Sequence, residues 1–184
     1  MFVHRNFHPS IGLIIVAVAG FVALTLNPTD VAGAPPTNDN FADATDAAPA
    51  PFIASLSTTE ATDEAAETKP CGNIGKTVWF KYSPSIDGVV AADTAGSDFD
   101  TVLAVYDYVF SSPPLGIGNR ACNDDAGPSD LTSNVEISVL GGSTYFFQVS
   151  GKDGAAGAAQ FHLSYHPAND DFNGAKGVSG LPFT

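Results

Sequence analysis

The sequence predicts an all-β protein: an antiparallel β-sandwich, jelly-roll-like, with about seven or eight strands preceded by a signal-peptide helix. Three observations support this fold class. Short segments alternate apolar and polar residues, which is the period of a strand with one buried face. Turn-forming residues separate these segments, and the chain holds 18 Gly and 13 Pro. After the first apolar run, no window has the 3.6-residue period of an amphipathic helix.

The first segment has the parts of a secretory signal. Arg5 precedes an unbroken apolar run from Ile11 to Leu26, and small residues follow as far as Ala34. The run has 16 residues, which is short for a hydrocarbon core of ~30 Å. We therefore expect residues 1–34 to be a signal peptide, so that the protein is secreted or displayed at the cell surface and leaves the membrane after cleavage. The alternative is an uncleaved anchor helix.

Alternation identifies the strands in chain order. The clearest strand has Val78, Phe80 and Tyr82 on one face and Trp79 with Lys81 on the other. We interpret Trp79 as a structural residue beneath a loop; the alternative is an exposed platform that stacks on sugar rings. The other predicted strands are Phe52–Leu56, Gly88–Thr94, Val102–Tyr108, Leu115–Ala121, Val135–Val139, Tyr145–Val149 and Phe161–Tyr165.

Charge and cysteine content restrict the partners and the compartment. The chain has 20 acidic and 7 basic residues, a formal net charge of -13. This excludes nucleic acid as a partner, because a phosphate backbone needs a basic face. Cys71 and Cys122 are the two cysteines, and neither a CxxC spacing nor a nearby His indicates zinc. In an exported chain we expect this pair to form a disulfide; two buried free thiols are the alternative.

A short repeat predicts how the chain is divided. Asn38–Phe41 (NDNF) recurs as Asn169–Phe172 (NDDF), and six of the sixteen positions aligned in that register are identical. We therefore predict a signal peptide at 1–34, one complete sandwich domain at 35–167, and the truncated start of a second repeat at 168–184. Without partner strands, this last segment is expected to be extended and loosely packed.

Acidic residues are the strongest functional signal. Hard oxygen ligands on loops are what Ca²⁺ binds, with a coordination number of about 6–8. The expected disulfide would bring two of the acidic groups together, which predicts one calcium site. The alternative is a solvated acidic surface, whose Asp and Asn residues favour turns. The candidate ligands are Glu64 and Glu67 before Cys71, Asp98 and Asp100 at a turn into a strand, and Asn123, Asp124 and Asp125 after Cys122.

Several segments together resemble the bacterial pre-peptidase C-terminal (PPC) type of domain. They are NDNFADAT, VWF, AGSDFDTVLAVY, CNDD and TYFFQV, and the resemblance covers about Asn38 to His166. Domains of this type are β-sandwiches attached to secreted proteases and other surface proteins, often in tandem. The resemblance implies a non-catalytic module; some such domains resemble carbohydrate- or collagen-binding modules and some hold calcium. The Pro-Pro pair at 113–114 departs from the pattern and blurs a strand boundary.

The sequence therefore favours a non-catalytic, exported accessory or adhesion-type module of a larger secreted or surface protein. The motifs GxSxG and HExxH, a Walker loop and a dinucleotide-binding glycine pattern do not occur in the sequence. One alternative is a module that binds a glycan or an extracellular protein such as collagen. A second is the N-terminal fragment of a larger secreted hydrolase.

Overall fold

A computed structural model describes residues 33–65, 67–108 and 117–168. In these ranges the chain forms nine strands and one short 3-10 turn, Phe41–Asp43. The predicted signal segment up to residue 32 and the predicted second repeat from residue 169 lie outside the described residues. The strands are β1 Thr45–Asp46, β2 Phe52–Ser57, β3 Ile74–Tyr82, β4 Gly88–Asp93, β5 Thr101–Tyr108, β6 Ile117–Asn123, β7 Asn134–Val139, β8 Tyr145–Lys152 and β9 Ala158–Pro167.

The strands form two sheets, ordered β1-β3-β8-β5-β6 and β2-β9-β4-β7. Strand β1 runs parallel to β3, and the other pairings are antiparallel. If β1 is set aside and the other strands are counted from one to eight, the sheet β3-β8-β5-β6 has the order 2-7-4-5. The sheet β2-β9-β4-β7 has the order 1-8-3-6. This is the strand order of a jelly roll. The predicted jelly-roll-like, antiparallel sandwich is confirmed.

The main core lies between the two sheets. Phe80 of β3 stacks on Phe161 of β9 with ring centroids 4.1 Å apart, and Phe147 of β8 lies 5.7 Å from Phe161. All three side chains are at most 1% exposed. Rings from both sheets therefore interdigitate, and burial of this much aromatic surface is the main driving force for pairing the sheets.

The five-stranded sheet also buries part of its other face, which we call the outer face. Trp79 of β3, Tyr106 of β5 and Phe146 of β8 form a second apolar cluster there. Phe41 covers it, with its ring centroid 5.1 Å from Trp79 and 4.5 Å from Phe146. Trp79 is 0% exposed. The prediction that Trp79 is structural and lies beneath a loop is confirmed.

A disulfide joins Cys71, just before β3, to Cys122 near the end of β6, with Cα atoms 6.1 Å apart. That separation is within the range that a disulfide spans, so the predicted bond is confirmed. It attaches the segment between β2 and β3 to the far edge of the five-stranded sheet. This segment therefore crosses the outer face and is held at both ends.

Two elements were not predicted. Strand β1 has only two residues, too few for an alternating pattern to be recognised, and the 3-10 turn is a single turn. The start of the strand predicted at Leu115 lies outside the described residues, and β6 is described from Ile117. In the part of the chain that the structure describes, no helix is long and apolar enough to cross a membrane.

Candidate metal site

Three of the predicted ligands meet at one end of the five-stranded sheet. Asp100 directly precedes β5, and Asp124 and Asp125 directly follow β6. Because β5 and β6 are antiparallel neighbours, the start of one strand lies beside the end of the other. One carboxylate oxygen from each of the three residues lies within 4.8 Å of the other two. The site is therefore created by strand pairing between residues distant in sequence.

Lys152, at the end of β8, places a positive charge beside this cluster. β8 is the other neighbour of β5, and the Lys152 N–H donates to the main-chain carbonyl of Asp100 at 3.0 Å. The Lys152 ammonium group donates to Asp124 Oδ2. Within this cluster two carboxylate oxygens, Asp100 Oδ1 and Asp124 Oδ1, are buried without a hydrogen-bond partner among the described residues; Glu67 Oε2, on the outer face, is a third such oxygen. One ammonium group thus faces three carboxylates, and two buried acceptors remain to be satisfied.

The pKa values of Asp100 and Lys152 are both shifted from their ordinary values in this cluster. Burial raises the pKa of the Asp100 carboxyl above its ordinary value, and the nearby Asp124 and Asp125 carboxylates raise it further, while the Lys152 ammonium lowers it. The hydrogen bond to Asp124 raises the pKa of Lys152. Folding therefore disfavours the ionised form of Asp100, as expected where like charges are brought together.

The arrangement fits a hard divalent cation. Three carboxylates offer up to six oxygen atoms, and Ca²⁺ accepts both one-oxygen and two-oxygen binding by carboxylates, with water completing its shell. A divalent ion at this position would neutralise the surplus negative charge and satisfy the two buried oxygens. Asp100, Asp124 and Asp125 are the residues that would hold it.

Glu64 and Glu67 are used elsewhere, on the outer face. Glu67 Oε1 accepts from Thr77 Oγ1 at 2.6 Å and from Trp79 Nε1 at 2.9 Å. Glu64 Oε2 accepts from the Phe41 N–H at 2.6 Å. Burial raises the pKa of Glu67, although its hydrogen bonds to Thr77 and Trp79 lower it. These two carboxylates satisfy donors in and around the Trp79 cluster.

Asp98 and Asn123 also have protein partners. Asp98 Oδ1 accepts from the Ala158 N–H at 2.7 Å, at the start of β9, and Asn123 Oδ1 accepts from the Asn134 N–H at 3.0 Å, at the start of β7. The disulfide was expected to bring Glu64 and Glu67 beside Asn123, Asp124 and Asp125, whereas the carboxylates that the structure groups together are Asp100, Asp124 and Asp125. The bond fixes two Cα atoms, while side chains a few residues away in extended chain lie ~3.4 Å further off per residue.

Sequence reasoning missed two features: Lys152 beside the acidic cluster, and a buried pair, Tyr106 and Gln148, on the outer face. Lys152 carried a signal, because it is one of only 7 basic residues in an acidic chain and lies at a turn. The buried pair of Tyr106 and Gln148 carried none: Tyr106 Oη donates to Gln148 Oε1 at 2.6 Å, and burial raises the pKa of Tyr106 to about 12. That pair depends on which strands are neighbours.

One aromatic side chain is prominent on the described surface. Tyr108, at the end of β5, is 55% exposed, and its ring packs edge-on against Phe146 with centroids 5.1 Å apart. It separates two grooves of about 370 and 570 Å³, which share Thr144 as a lining residue. Arg120 and Asp107 form an ion pair at 3.4 Å in the larger groove. This surface therefore combines an exposed aromatic ring with one positively and one negatively charged side chain.

The known proteins to which the chain is similar are solved structures. No family model and no curated protein matches the chain. Among solved structures, the chain is similar to the pre-peptidase C-terminal domain of a collagenase from Bacillus anthracis, with 10% identity and a TM-score of 0.38 over 63% of this chain and 89% of that one. It is also similar to PliG, a periplasmic inhibitor of g-type lysozyme from Aeromonas hydrophila, with 13% identity and a TM-score of 0.39 over 66% of this chain and 96% of that one.

A solved domain of the PPC type is among the structures that this chain is similar to. Similarity of this degree gives no information on ligand or activity. The tandem array stays a prediction.

Proposed function

We propose that the chain is a non-catalytic, exported accessory module of a larger secreted or cell-surface protein, and that Ca²⁺ bound at Asp100, Asp124 and Asp125 stabilises it. The observation that carries the proposal is the cluster itself: three carboxylates within reach of one ion, two of them with a buried, unpartnered oxygen. A module of this kind contributes folding stability and spacing to its parent protein, and its ligand is structural.

Other titratable groups support a structural role. On the outer face, Glu67 accepts hydrogen bonds from Thr77 and Trp79. Beneath it, Tyr106 donates a hydrogen bond to Gln148. These groups have shifted pKa values, which in an enzyme often identify the acid or base. Here their hydrogen bonds connect loops and strands of the sandwich. The disulfide supports the exported location, since such bonds persist in oxidising compartments.

A thermal shift experiment tests the proposal. A ligand that binds only the native state increases the free energy of unfolding, by ~2.7 kcal/mol at one hundred times its dissociation constant, and so raises the melting temperature. We expect millimolar Ca²⁺ to raise the melting temperature of the protein, and Asp124→Ala to abolish the rise. Asp98→Ala is the matched control, because Asp98 lies in the same loop as Asp100 but its carboxylate accepts from the Ala158 N–H instead; this variant should keep the calcium response. Loss of the response in both variants, or in neither, contradicts the proposed ligands.

A second candidate function is recognition of a glycan or an extracellular protein at Tyr108. The exposed ring and the two adjoining grooves favour it, because the C–H face of a sugar packs on an open aromatic ring and hydroxyl groups bind Arg and Asp side chains. Binding to a glycan array and to collagen peptides, compared between the protein and Tyr108→Ala, measures this function. A signal that survives the substitution would place recognition elsewhere, and no signal from the unchanged protein would contradict this second function.

A further inference from the structure

The smaller of the two grooves beside Tyr108 lies on the outer face, and we call it the aromatic groove. Its volume is about 370 Å³. Phe146 lies at its base and is 4% exposed, and the ring centroids of Phe41 and Tyr108 lie 4.5 and 5.1 Å from that of Phe146. The groove therefore presents three aromatic side chains to a ligand.

Strand pairing places polar groups in the same groove. Lys81 of β3 lies directly opposite Phe146 of β8, and both residues line the groove. Two residues further along the chain from Lys81, and two before Phe146, the hydroxyl groups of Ser83 and Thr144 lie 2.8 Å apart and also line it. A ligand in the aromatic groove would thus meet an ammonium group and two hydroxyl groups as well as the rings.

The Lys81 ammonium group differs from the other cations that the structure describes. Among the described residues it forms no ion pair and no hydrogen bond. The other described Lys and Arg side chains each have a protein acceptor; they are Lys69, Lys76, Arg120 and Lys152. The chain has 20 acidic and 7 basic residues, so carboxylate partners are abundant. The one ammonium group without such a partner is therefore free to bind a negative charge on a ligand.

The aromatic rings and hydroxyl groups favour a sugar as the body of that ligand. The C–H face of a sugar packs on an exposed aromatic ring, and the Tyr108 side chain is 55% exposed. Sugar hydroxyl groups exchange hydrogen bonds with Ser83 and Thr144, because a hydroxyl both donates and accepts. The adjoining groove of about 570 Å³ continues this surface past Tyr108 and adds the Arg120 guanidinium group. The two grooves together therefore suit a chain of more than one sugar.

The charge of the whole molecule limits the negative charge that such a ligand carries. A net charge of -13 repels a polyanion. At physiological ionic strength, however, exposed charges more than ~8 Å away are largely screened, so the ammonium group inside the groove acts on a nearby anion over the distant carboxylates. One carboxylate beside Lys81 is therefore favourable, whereas a continuous row of carboxylates is not.

We propose that the aromatic groove binds a glycan in which a uronic-acid residue lies among neutral sugars. The uronic-acid carboxylate accepts a hydrogen bond from the Lys81 ammonium group, and the C–H face of the sugar chain packs on Tyr108. This proposal rests on the second candidate function, recognition at Tyr108, and specifies its ligand. Because a hydrogen bond between charged groups is roughly twice as strong as one between neutral groups, the carboxylate determines the selectivity.

Reduction of the carboxyl group tests this selectivity. The probes are disaccharides in which glucuronic, galacturonic or mannuronic acid is linked to a neutral sugar, and the same disaccharides after the carboxyl group is reduced to a hydroxymethyl group. Their dissociation constants for the full chain are compared at physiological salt. We expect the acid of at least one pair to bind ~10-fold or more tightly than its reduced form. Lys81→Gln should remove this difference, and Tyr108→Ala should weaken the binding of both forms.

Lys76→Gln is the matched control for Lys81→Gln. It changes the net charge by the same amount, and the Lys76 ammonium group donates to the Thr59 carbonyl at 3.0 Å, outside the groove. This variant should keep the preference for the acid. Loss of the preference in both variants would show that the overall charge, and not the groove, selects the ligand.

The outcomes separate this inference from the function on which it rests. Equal binding of acid and reduced forms, lost in Tyr108→Ala, would overturn the uronic-acid ligand and leave recognition of neutral glycans at Tyr108 in place. A preference for the acid that persists in Lys81→Gln would overturn the inference as well, since the carboxylate would then bind elsewhere. If no disaccharide of any pair binds, the inference fails, and the glycan array and collagen peptides decide whether recognition at Tyr108 fails with it.

Discussion

Asp98 and Asp100 are two residues apart, yet their carboxylates have different partners. If the two-residue period of a strand applied to them, the two carboxylates would face the same way. That period applies only within the strand, and β5 begins at Thr101. Asp98 turns to the start of β9 and Asp100 turns to Asp124. Side-chain direction in a turn depends on local backbone angles, which the sequence pattern does not encode.

Asp100→Asn should have opposite effects with and without calcium. The folded protein raises the pKa of Asp100, so the calcium-free fold prefers the protonated form. Its stability should therefore fall as pH rises from the ordinary Asp pKa through the raised value, and stay level above it. The Asn variant removes this dependence and should melt at a higher temperature at neutral pH in a chelator. With saturating Ca²⁺ it should lose most of the calcium gain. A variant less stable than the unchanged protein in the chelator would refute this account of the charge cluster.

Strand β3 shows what an element's sequence pattern can and cannot predict. Alternation correctly places Val78 and Phe80 in the main core and Trp79 on the opposite face. It could not predict that β3 lies between β1 and β8, because pairing is a contact between distant segments. The candidate site has the same limit. Asp124 and Asp125 are adjacent in sequence, but their approach to Asp100 depends on the pairing of β5 with β6.

The segment between β2 and β3 should depend on Glu67 for its attachment to the outer face. Glu67→Ala leaves the Trp79 Nε1–H and the Thr77 hydroxyl without their acceptor, which should cost about 1–3 kcal/mol in urea unfolding. Glu67→Gln keeps an acceptor oxygen and removes the charge whose burial raises the pKa of this carboxyl. It should cost much less at neutral pH. Equal losses in the two variants would show that the charge, and not the acceptor, is what the fold requires.

At the scale of the whole molecule, the net charge of -13 opposes compaction. The sandwich offsets this with two aromatic clusters and with one disulfide across a sequence separation of 51 residues. The disulfide was predictable, because an exported chain with two cysteines has a single possible intramolecular pairing. The geometry around it was not, because each acidic group follows the path of its own strand or loop.

Removing the disulfide should make the protein marginally stable. Closing a loop of this length contributes ~4 kcal/mol in the chain-entropy model, a large part of the ~5–15 kcal/mol that holds a domain together. The double variant Cys71→Ala/Cys122→Ala should therefore unfold at a much lower urea concentration. The unchanged protein in a reducing agent is the control and should behave in the same way. An unchanged midpoint in the variant would mean that packing on the outer face, and not the bond, secures the segment before β3.

Titration calorimetry with Ca²⁺ tests the central claim most directly. We predict one binding event per chain at neutral pH, with Asp100, Asp124 and Asp125 each required and with Glu64, Glu67 and Asp98 dispensable. Lys152→Gln should increase the affinity, because it removes the ammonium group that competes for Asp124. Heat of binding that persists in Asp124→Ala, or no heat at millimolar Ca²⁺ with the unchanged protein, would contradict a calcium-stabilised module.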